Sequence, residues 1–272
     1  MPKVTKVRSH IRRTKSGKET VVREHTRRVK SRIPESVFRR KVEELRDKIN
    51  ECASIIKMVN ADNIDPIHFE GDALYIGPVS YSSSSYPEVK FTDFSKRVLK
   101  EYGITLYDSY LGGFSEYSFI KKIAKAKNEK EFLDALEKYA NNLESWMHSE
   151  LDSAYYLAKI LFENFDPDKK NSIYEFSFNL FHHGRFVGKV RVEVEERVYT
   201  IGNKKYRVYV VRVYHPKYGY SCIPTQDKGF VDNFIKYVNK LIEKLNKEVI
   251  DGYDVLNEIY EWIGIHLPND CG

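Results

Sequence analysis

Residues 186–199 have the sequence FVGKVRVEVEERVY, which has the clearest alternation of apolar and polar residues in the chain. Its apolar positions Val190, Val192 and Val194 alternate with charged positions from Lys189 to Glu195. Alternation with a period of two is typical of a β-strand that buries one face and exposes the other. The sequence therefore predicts a strand in a sheet whose apolar face needs cover.

Strands are also predicted on both sides of this stretch, at residues 173–182 and 206–214. The connections His183-Gly184-Arg185 and Gly202-Asn203-Lys204 are short enough for hairpins. These features predict a three-stranded antiparallel meander. Two amphipathic patterns near the C-terminus predict the helices that cover it, at residues 231–249 and 255–263.

Upstream of the sheet, the apolar pattern has the period of a helix. It predicts a helix from Pro34 to about Met58 and three more at 94–102, 114–127 and 130–165. Asp166-Pro167 ends the last of these. The predicted class is α+β, with three regions that follow each other along the chain: a basic arm at 1–40, a mainly helical region at 41–165, and a region with the sheet and two helices at 166–272. The second and third regions could form one compact body.

Charge is distributed very unevenly along the chain. The first 41 residues contain 15 Lys/Arg and three Glu, whereas the remaining residues contain 30 Lys/Arg and 36 Asp/Glu. Cations at this density repel one another unless a polyanion or an acidic surface supplies the opposite charge. The arm therefore indicates a partner without specifying a reaction.

The arm contains a repeat. The heptapeptide VRSHIRR, residues 7–13, returns as VREHTRR, residues 22–28, with five of seven positions identical. Ser16-Gly17 lies between the two copies and predicts the turn of a β-hairpin. With that turn, Ile11 would be opposite Val22 and Val7 opposite Thr26, which would give the ribbon an apolar face and a cationic face.

A cationic ribbon of this kind is suited to the phosphate backbone of DNA or RNA, because guanidinium groups bind phosphate oxygens. A flexible tail that orders only on binding, and an arm that contacts an acidic neighbouring subunit, are alternatives. The candidate nucleic-acid-binding residues are Arg8, His10, Arg12, Arg13, Lys15, Lys18, Arg23, His25, Arg27 and Arg28.

The paired V-R-x-H-x-R-R units around T-K-S-G-K resemble short His/Arg-rich segments near the ends of proteins from archaeal and bacterial viruses and integrated elements. The resemblance covers residues 6–29 and implies a viral or mobile-element setting. It implies no fold or catalytic residue for the remainder of the chain.

Composition limits the remaining possibilities. No apolar run reaches the roughly 20 residues of a membrane span, so we expect a soluble, cytoplasmic or virion protein without a membrane partner. Cys52, Cys222 and Cys271 are widely spaced and form no C-x-x-C pair, so we expect reduced thiols and no structural metal or cofactor. Gln occurs once, at Gln226, and Lys and Glu are abundant, which is typical of a heat-loving archaeal source or of a biased genome.

Two further groups of residues in the predicted sheet are candidate sites. Its polar face could stack bases and bind phosphate through Arg191, Arg207, Arg212, Tyr199, Tyr209 and Tyr214. A catalytic cluster could combine His182 or His183, His215, Cys222 and Glu193 or Glu195, but the known nucleophile and metal motifs are absent.

The sequence favours a non-enzymatic nucleic-acid-binding accessory protein that is anchored by its arm and can self-associate. A virion or scaffold component whose arm mediates assembly is the first alternative. A metal-dependent nuclease is the second.

Overall fold

The computed structural model describes residues 4–7, 10–13, 19–22, 25–28, 33–61, 64–70, 73–76, 90–108 and 117–266. Over these residues the protein is a mixture of seven helices and antiparallel sheets, which confirms the α+β class. The chain divides into two compact units, residues 1–147 and 148–272. The predicted three-region division stays a prediction.

In the first unit, the helices form where the apolar pattern predicts them. Helix α1 (Glu35–Val59) buries Phe38, Val42, Ile49 and Ile56 on one stripe. Helices α2 (Asp93–Glu101) and α3 (Tyr117–Lys125) pack against each other. Helix α4 (Glu129–Ser153) begins in this unit and buries a stripe with helical spacing, Phe132, Leu136, Tyr139, Leu143 and Trp146.

Several short strands also belong to the first unit. The pairs are β1 (Val4–Val7) with β4 (His25–Arg28) and β2 (His10–Arg13) with β3 (Glu19–Val22); a separate sheet has the order β6 (Ala73–Ile76), β5 (Asp65–Glu70) and β7 (Tyr107–Asp108).

The predicted register of the arm is wrong by one residue. Ile11 is opposite Val21 rather than Val22, and Val7 is opposite His25 rather than Thr26. Arg13 and Glu19 are partners, and an odd number of residues separates them, whereas a two-residue turn requires an even number. The predicted Ser16-Gly17 turn itself lies outside the described residues.

The predicted helix at 130–165 is two helices. Helix α4 ends at Ser153, and α5 (Leu157–Asn164) follows after a break at Ala154, Tyr155 and Tyr156. Tyr156 has a non-helical ψ of 33°, and the N–H of Leu157 donates to the carbonyl of Ala154 in a tight turn. The break redirects the chain so that Leu157 and Leu161 are buried, and α5 packs against the last two strands of the sheet described next.

The second unit contains a four-stranded antiparallel sheet. Its strands are β8 (Lys169–His182), β9 (Arg185–Ile201), β10 (Lys204–His215) and β11 (Gly219–Thr225), in the spatial order β11-β10-β9-β8. The predicted meander has three strands and lacks β11, because Gly219 and Pro224 are unusual within strands. Pro224 is tolerated because β11 is an edge strand, where the missing N–H breaks no ladder on the outer side.

One face of this sheet carries the core of the second unit. Val190, Val192 and Val194 of β9 pack with the apolar faces of α6 (Lys228–Asn246) and α7 (Gly252–His266). Each valine is opposite a residue of a neighbouring strand. Val192, for example, lies between Phe176 on β8 and Val213 on β10. The alternation of residues 186–199 therefore has the predicted consequence, a buried face under two C-terminal helices. Among the helices that the structure describes, none combines the length and the apolar character needed to cross a bilayer.

Helix α7 approaches β8 so closely that its first residue must be small. A Cβ on Gly252 would lie 2.6 Å from the carbonyl oxygen of Asn179 and 3.3 Å from the ring of Phe178. Gly252→Ala should therefore lower the free energy of unfolding by about 1–3 kcal/mol, because a backbone oxygen cannot move aside cheaply. The midpoint of urea denaturation measures the change.

Gly264→Ala in the same helix is the control. A Cβ at Gly264 meets no atom within 4 Å, so this change should raise stability by up to about 1 kcal/mol through helix propensity. Equal midpoints for Gly252→Ala and the unmodified protein would contradict the close packing of α7 on β8.

Candidate nucleic-acid interface

Two turns meet at one end of the sheet in the second unit. His183 and Gly184 connect β8 to β9 with φ angles of 49° and 73°, as a tight hairpin turn requires. Pro216 begins the turn between β10 and β11, and a Cβ on Gly188 would lie 2.4 Å from the Cβ of Pro216. Only a glycine permits this contact, which holds the two turns together. We call residues 181–191 and 214–220 the turn end.

The turn end carries positive charge without its own counter-charge. It contains Arg185, Lys189, Arg191 and Lys217, and its sequence includes no Asp or Glu. All four side chains are exposed, and none forms an ion pair with an acidic residue in the part of the chain that the structure describes. Along the paired strands β8 and β9, the carboxylates nearest to the turn end belong to Glu175 and Glu193, which are opposite each other. The turn end therefore carries four formal positive charges and no formal negative charge of its own.

Elsewhere on the same sheet, several cations are paired. Arg207 Nε is 3.0 Å from a Glu196 carboxylate oxygen, and Arg212 is 3.1 Å from Glu195. Arg197, which is almost fully buried, is 3.0 Å from Glu195 and lies over the ring of Phe162. A buried guanidinium needs such a partner, because burial of an unpaired charge is costly. These pairs stabilise the fold and leave little charge for a ligand.

Large aromatic side chains surround the cations of the turn end. The exposed fractions are 50% for Phe181, 62% for Phe186, 75% for Tyr218 and 52% for Tyr220. The rings of Phe181 and Phe186 are 5.7 Å apart, and Tyr220 contacts the ring of Tyr214 at 4.9 Å. Exposed apolar side chains that are grouped on a protein surface often mark a binding site.

Two of the turn-end cations lie over rings. The Lys217 ammonium is 5.1 Å from the centre of the Tyr218 ring, and the Arg191 guanidinium is 5.9 Å from that of Tyr214. Such cation–π contacts orient a long side chain without neutralising its charge. The patch thus presents rings and cations side by side.

The structure does not assemble the predicted catalytic cluster. His215 is buried, and its Nδ1 accepts hydrogen bonds from the backbone N–H groups of Lys217 at 3.0 Å and Tyr218 at 3.3 Å, so it stabilises the turn. Glu195 is held by Arg197 and Arg212, and Cys222 is opposite Arg212 in the ladder. A search of the described residues for three or more side chains able to hold a metal ion finds no such group.

His182 and His183 remain exposed at the turn, with ring centres 4.2 Å apart. His182 also contacts Tyr253 of α7 at 5.7 Å. These contacts place both imidazoles in the turn end, where they can donate hydrogen bonds to an acidic ligand.

The predicted polar face of the sheet is mostly unavailable to a ligand. Tyr199 and Tyr209 are buried, the latter in the core under α6 and α7. Arg207 and Arg212 are paired with carboxylates, as described above. The prediction is therefore wrong for the buried Tyr199 and Tyr209, and it stays a prediction for Arg191, Arg207, Arg212 and Tyr214.

The arm contributes candidate residues in the other unit. The backbones of His10, Arg12, Arg13, His25, Arg27 and Arg28 lie in β2 and β4. Arg8, Lys15, Lys18 and Arg23 lie outside the described residues. For all ten arm residues, contact with nucleic acid stays a prediction.

Five of the turn-end residues were not among the candidates predicted from the sequence: Phe181, Arg185, Phe186, Lys217 and Tyr218. A signal was present, since residues 181–191 and 214–220 lack acids although 31% of the chain is charged. Only the sheet order shows that these two runs lie at the same end.

No protein-family model matches the chain, and comparison with curated proteins and with solved structures finds no significant similarity. Function is therefore inferred from geometry and charge.

The role of His215 predicts a dependence of stability on pH. Burial, and secondly the nearby Lys217 ammonium, lower the pKa of His215. The unfolded chain therefore binds the proton more readily than the folded protein, and stability should fall as the pH is lowered through about 6.5, the ordinary pKa of histidine. Urea denaturation at several pH values between about 7.5 and 5.5 measures this loss.

His215→Asn is the matched comparison, because the amide oxygen can accept a hydrogen bond but does not titrate. Its stability should decline less over the same pH range. Parallel declines in the two proteins would show that His215 is not the group responsible.

Proposed function

We propose that the protein is a nucleic-acid-binding accessory protein, in which the turn end contacts the ligand and the basic arm holds the phosphate backbone. The observation that carries the proposal is the turn end, with four exposed cations, no acidic residue and a cluster of exposed rings. Phosphates supply the missing negative charge, and nucleobases supply flat apolar surfaces for the rings. No reaction is needed to explain the patch.

The arm supports the same class of ligand. Its cations, from Arg8 to Arg28, lie in a segment whose charge is opposite to that of the remainder of the chain. Binding through many phosphate contacts releases counterions, so the affinity should fall steeply as salt is added. The viral or integrated-element setting, the archaeal source and the cytoplasmic or virion location stay predictions from the sequence.

The turn-end cations can be tested by a triple substitution. Replacing Arg185, Lys189 and Lys217 by Ser should weaken binding to DNA or RNA by about tenfold or more and reduce the salt slope by about 2, as expected for the loss of three phosphate contacts. Fluorescence anisotropy over a series of salt concentrations measures both quantities.

A triple substitution at the opposite end of the sheet is the control. Lys169, Lys170 and Lys205 are also exposed, and replacing them by Ser removes the same amount of charge from the same sheet. This variant should bind almost as well as the unmodified protein. Equal losses of affinity in both variants would show that the effect comes from net charge alone. No loss of affinity in either variant would show that the turn end is not the interface.

The arm is tested by changing Arg12, Arg13, Arg27 and Arg28 to Gln in the full-length chain. Affinity should fall for all sequences alike, and the salt slope should decrease, because these residues are proposed to bind the backbone. Changing Lys236, Lys240, Lys244 and Lys247, which are exposed on or next to α6, provides a charge-matched control. If the arm variant binds normally but fails to form large assemblies, the arm serves a virion or scaffold role instead.

A further inference from the structure

We infer that the turn end selects single-stranded nucleic acid by stacking unpaired bases on its exposed rings. The inference rests on the proposed function and adds to it the form of the ligand. It is carried by the identity and exposure of the rings, which phosphate binding alone does not require.

The exposed rings of Phe181 and Phe186 are the first feature that favours stacking of unpaired bases. Both are at least half exposed, and a phenyl group can neither donate a hydrogen bond to phosphate nor attract it. A base presents its flat face to such a ring only when it is unpaired or at the end of a helix. In a continuous duplex those faces are covered by neighbouring base pairs.

The distribution of the rings is the second argument. Phe181 and Phe186 flank the turn between β8 and β9, and Tyr218 and Tyr220 are on or beside the turn between β10 and β11. The contact between Gly188 and Pro216 joins these two groups. Two ring groups on one rigid end can stack more than one base of the same strand.

The cations next to the rings are the third argument. Lys217 lies over Tyr218, and Arg191 lies over Tyr214. A base that displaces such a cation from its ring would leave the cation free to bind the phosphate of the same nucleotide. This alternation of ring and cation matches the alternation of base and phosphate along a single strand.

An anionic bilayer also combines negative charge with an apolar layer, but the side chains favour nucleic acid. The exposed apolar residues of the turn end are aromatic rings, with Val187 as the exposed aliphatic one. Anionic vesicles are therefore included in the test as a competing ligand.

The test compares a single strand of about 20 nucleotides, the matching duplex, and vesicles that contain anionic phospholipid. The full-length protein should bind the single strand at least tenfold more tightly than the duplex. A base analogue whose fluorescence is quenched by stacking, placed within the single strand, should lose fluorescence on binding.

The variant changes Phe181, Phe186 and Tyr218 to Leu, which keeps apolar area but removes the π faces. It should lose roughly tenfold in single-strand affinity for each ring that stacks a base, with little change for the duplex. Tyr155→Leu is the control, because Tyr155 is 73% exposed in the same unit and lies outside the turn end. Tyr218→Leu alone, at a 75% exposed position, repeats the test if the triple variant does not fold.

The outcomes separate this inference from the proposed function. Preference for the single strand that is lost in the Leu variant and kept in Tyr155→Leu supports both. Equal binding of single strand and duplex, unaffected by the Leu variant, overturns the inference and leaves the proposed function standing. Failure to bind either nucleic acid overturns both, and binding to vesicles alone assigns the turn end to a membrane surface.

Discussion

The packing of the β9 valines under α6 and α7 is the constraint on which the second unit depends. Val190, Val192 and Val194 are fully buried; all three are paired with β8, and Val192 and Val194 are also paired with β10. A shift of one residue in this register would expose the whole row, so the register is strongly specified. Because β9 is paired on both sides, its register also sets the register of its neighbours and places the two turns at the same end of the sheet.

Positively charged side chains have different surroundings in different parts of this sheet. Glu195 neutralises the buried Arg197 and the partly buried Arg212, and Glu196 pairs with the exposed Arg207. At the turn end all four cations are exposed, and two of them, Arg191 and Lys217, lie over rings. Exposed cations that have no acidic partner among the described residues contribute little to stability and are better explained by a ligand that carries both negative charge and flat apolar surface.

Local pattern predicts some of this molecule well and some of it poorly. The α+β class and helix α1 follow from periodicity, which depends on residues close in sequence. Strand β11 was missed because an edge position, known only from the sheet order, allows Pro224. The break near Tyr156 was missed because the burial of Leu157 and Leu161, a tertiary effect, overrides a continuous helical pattern. The turn end was missed for the same kind of reason, since its two halves are about 30 residues apart in sequence and meet only in the folded sheet, where Gly188 lies against Pro216 and Arg191 against Tyr214.

Ultraviolet photo-crosslinking can locate the residues that contact nucleic acid. The full-length protein would be irradiated with ultraviolet light in complex with a bound oligonucleotide, digested, and analysed by mass spectrometry to locate the crosslinked residues. If nucleic acid binds at the turn end, crosslinks should form in residues 181–191 and 214–220, at the exposed rings of Phe181, Phe186 and Tyr218. Crosslinks confined to α6 and α7, or found in the arm without any at the turn end, would contradict binding at the turn end.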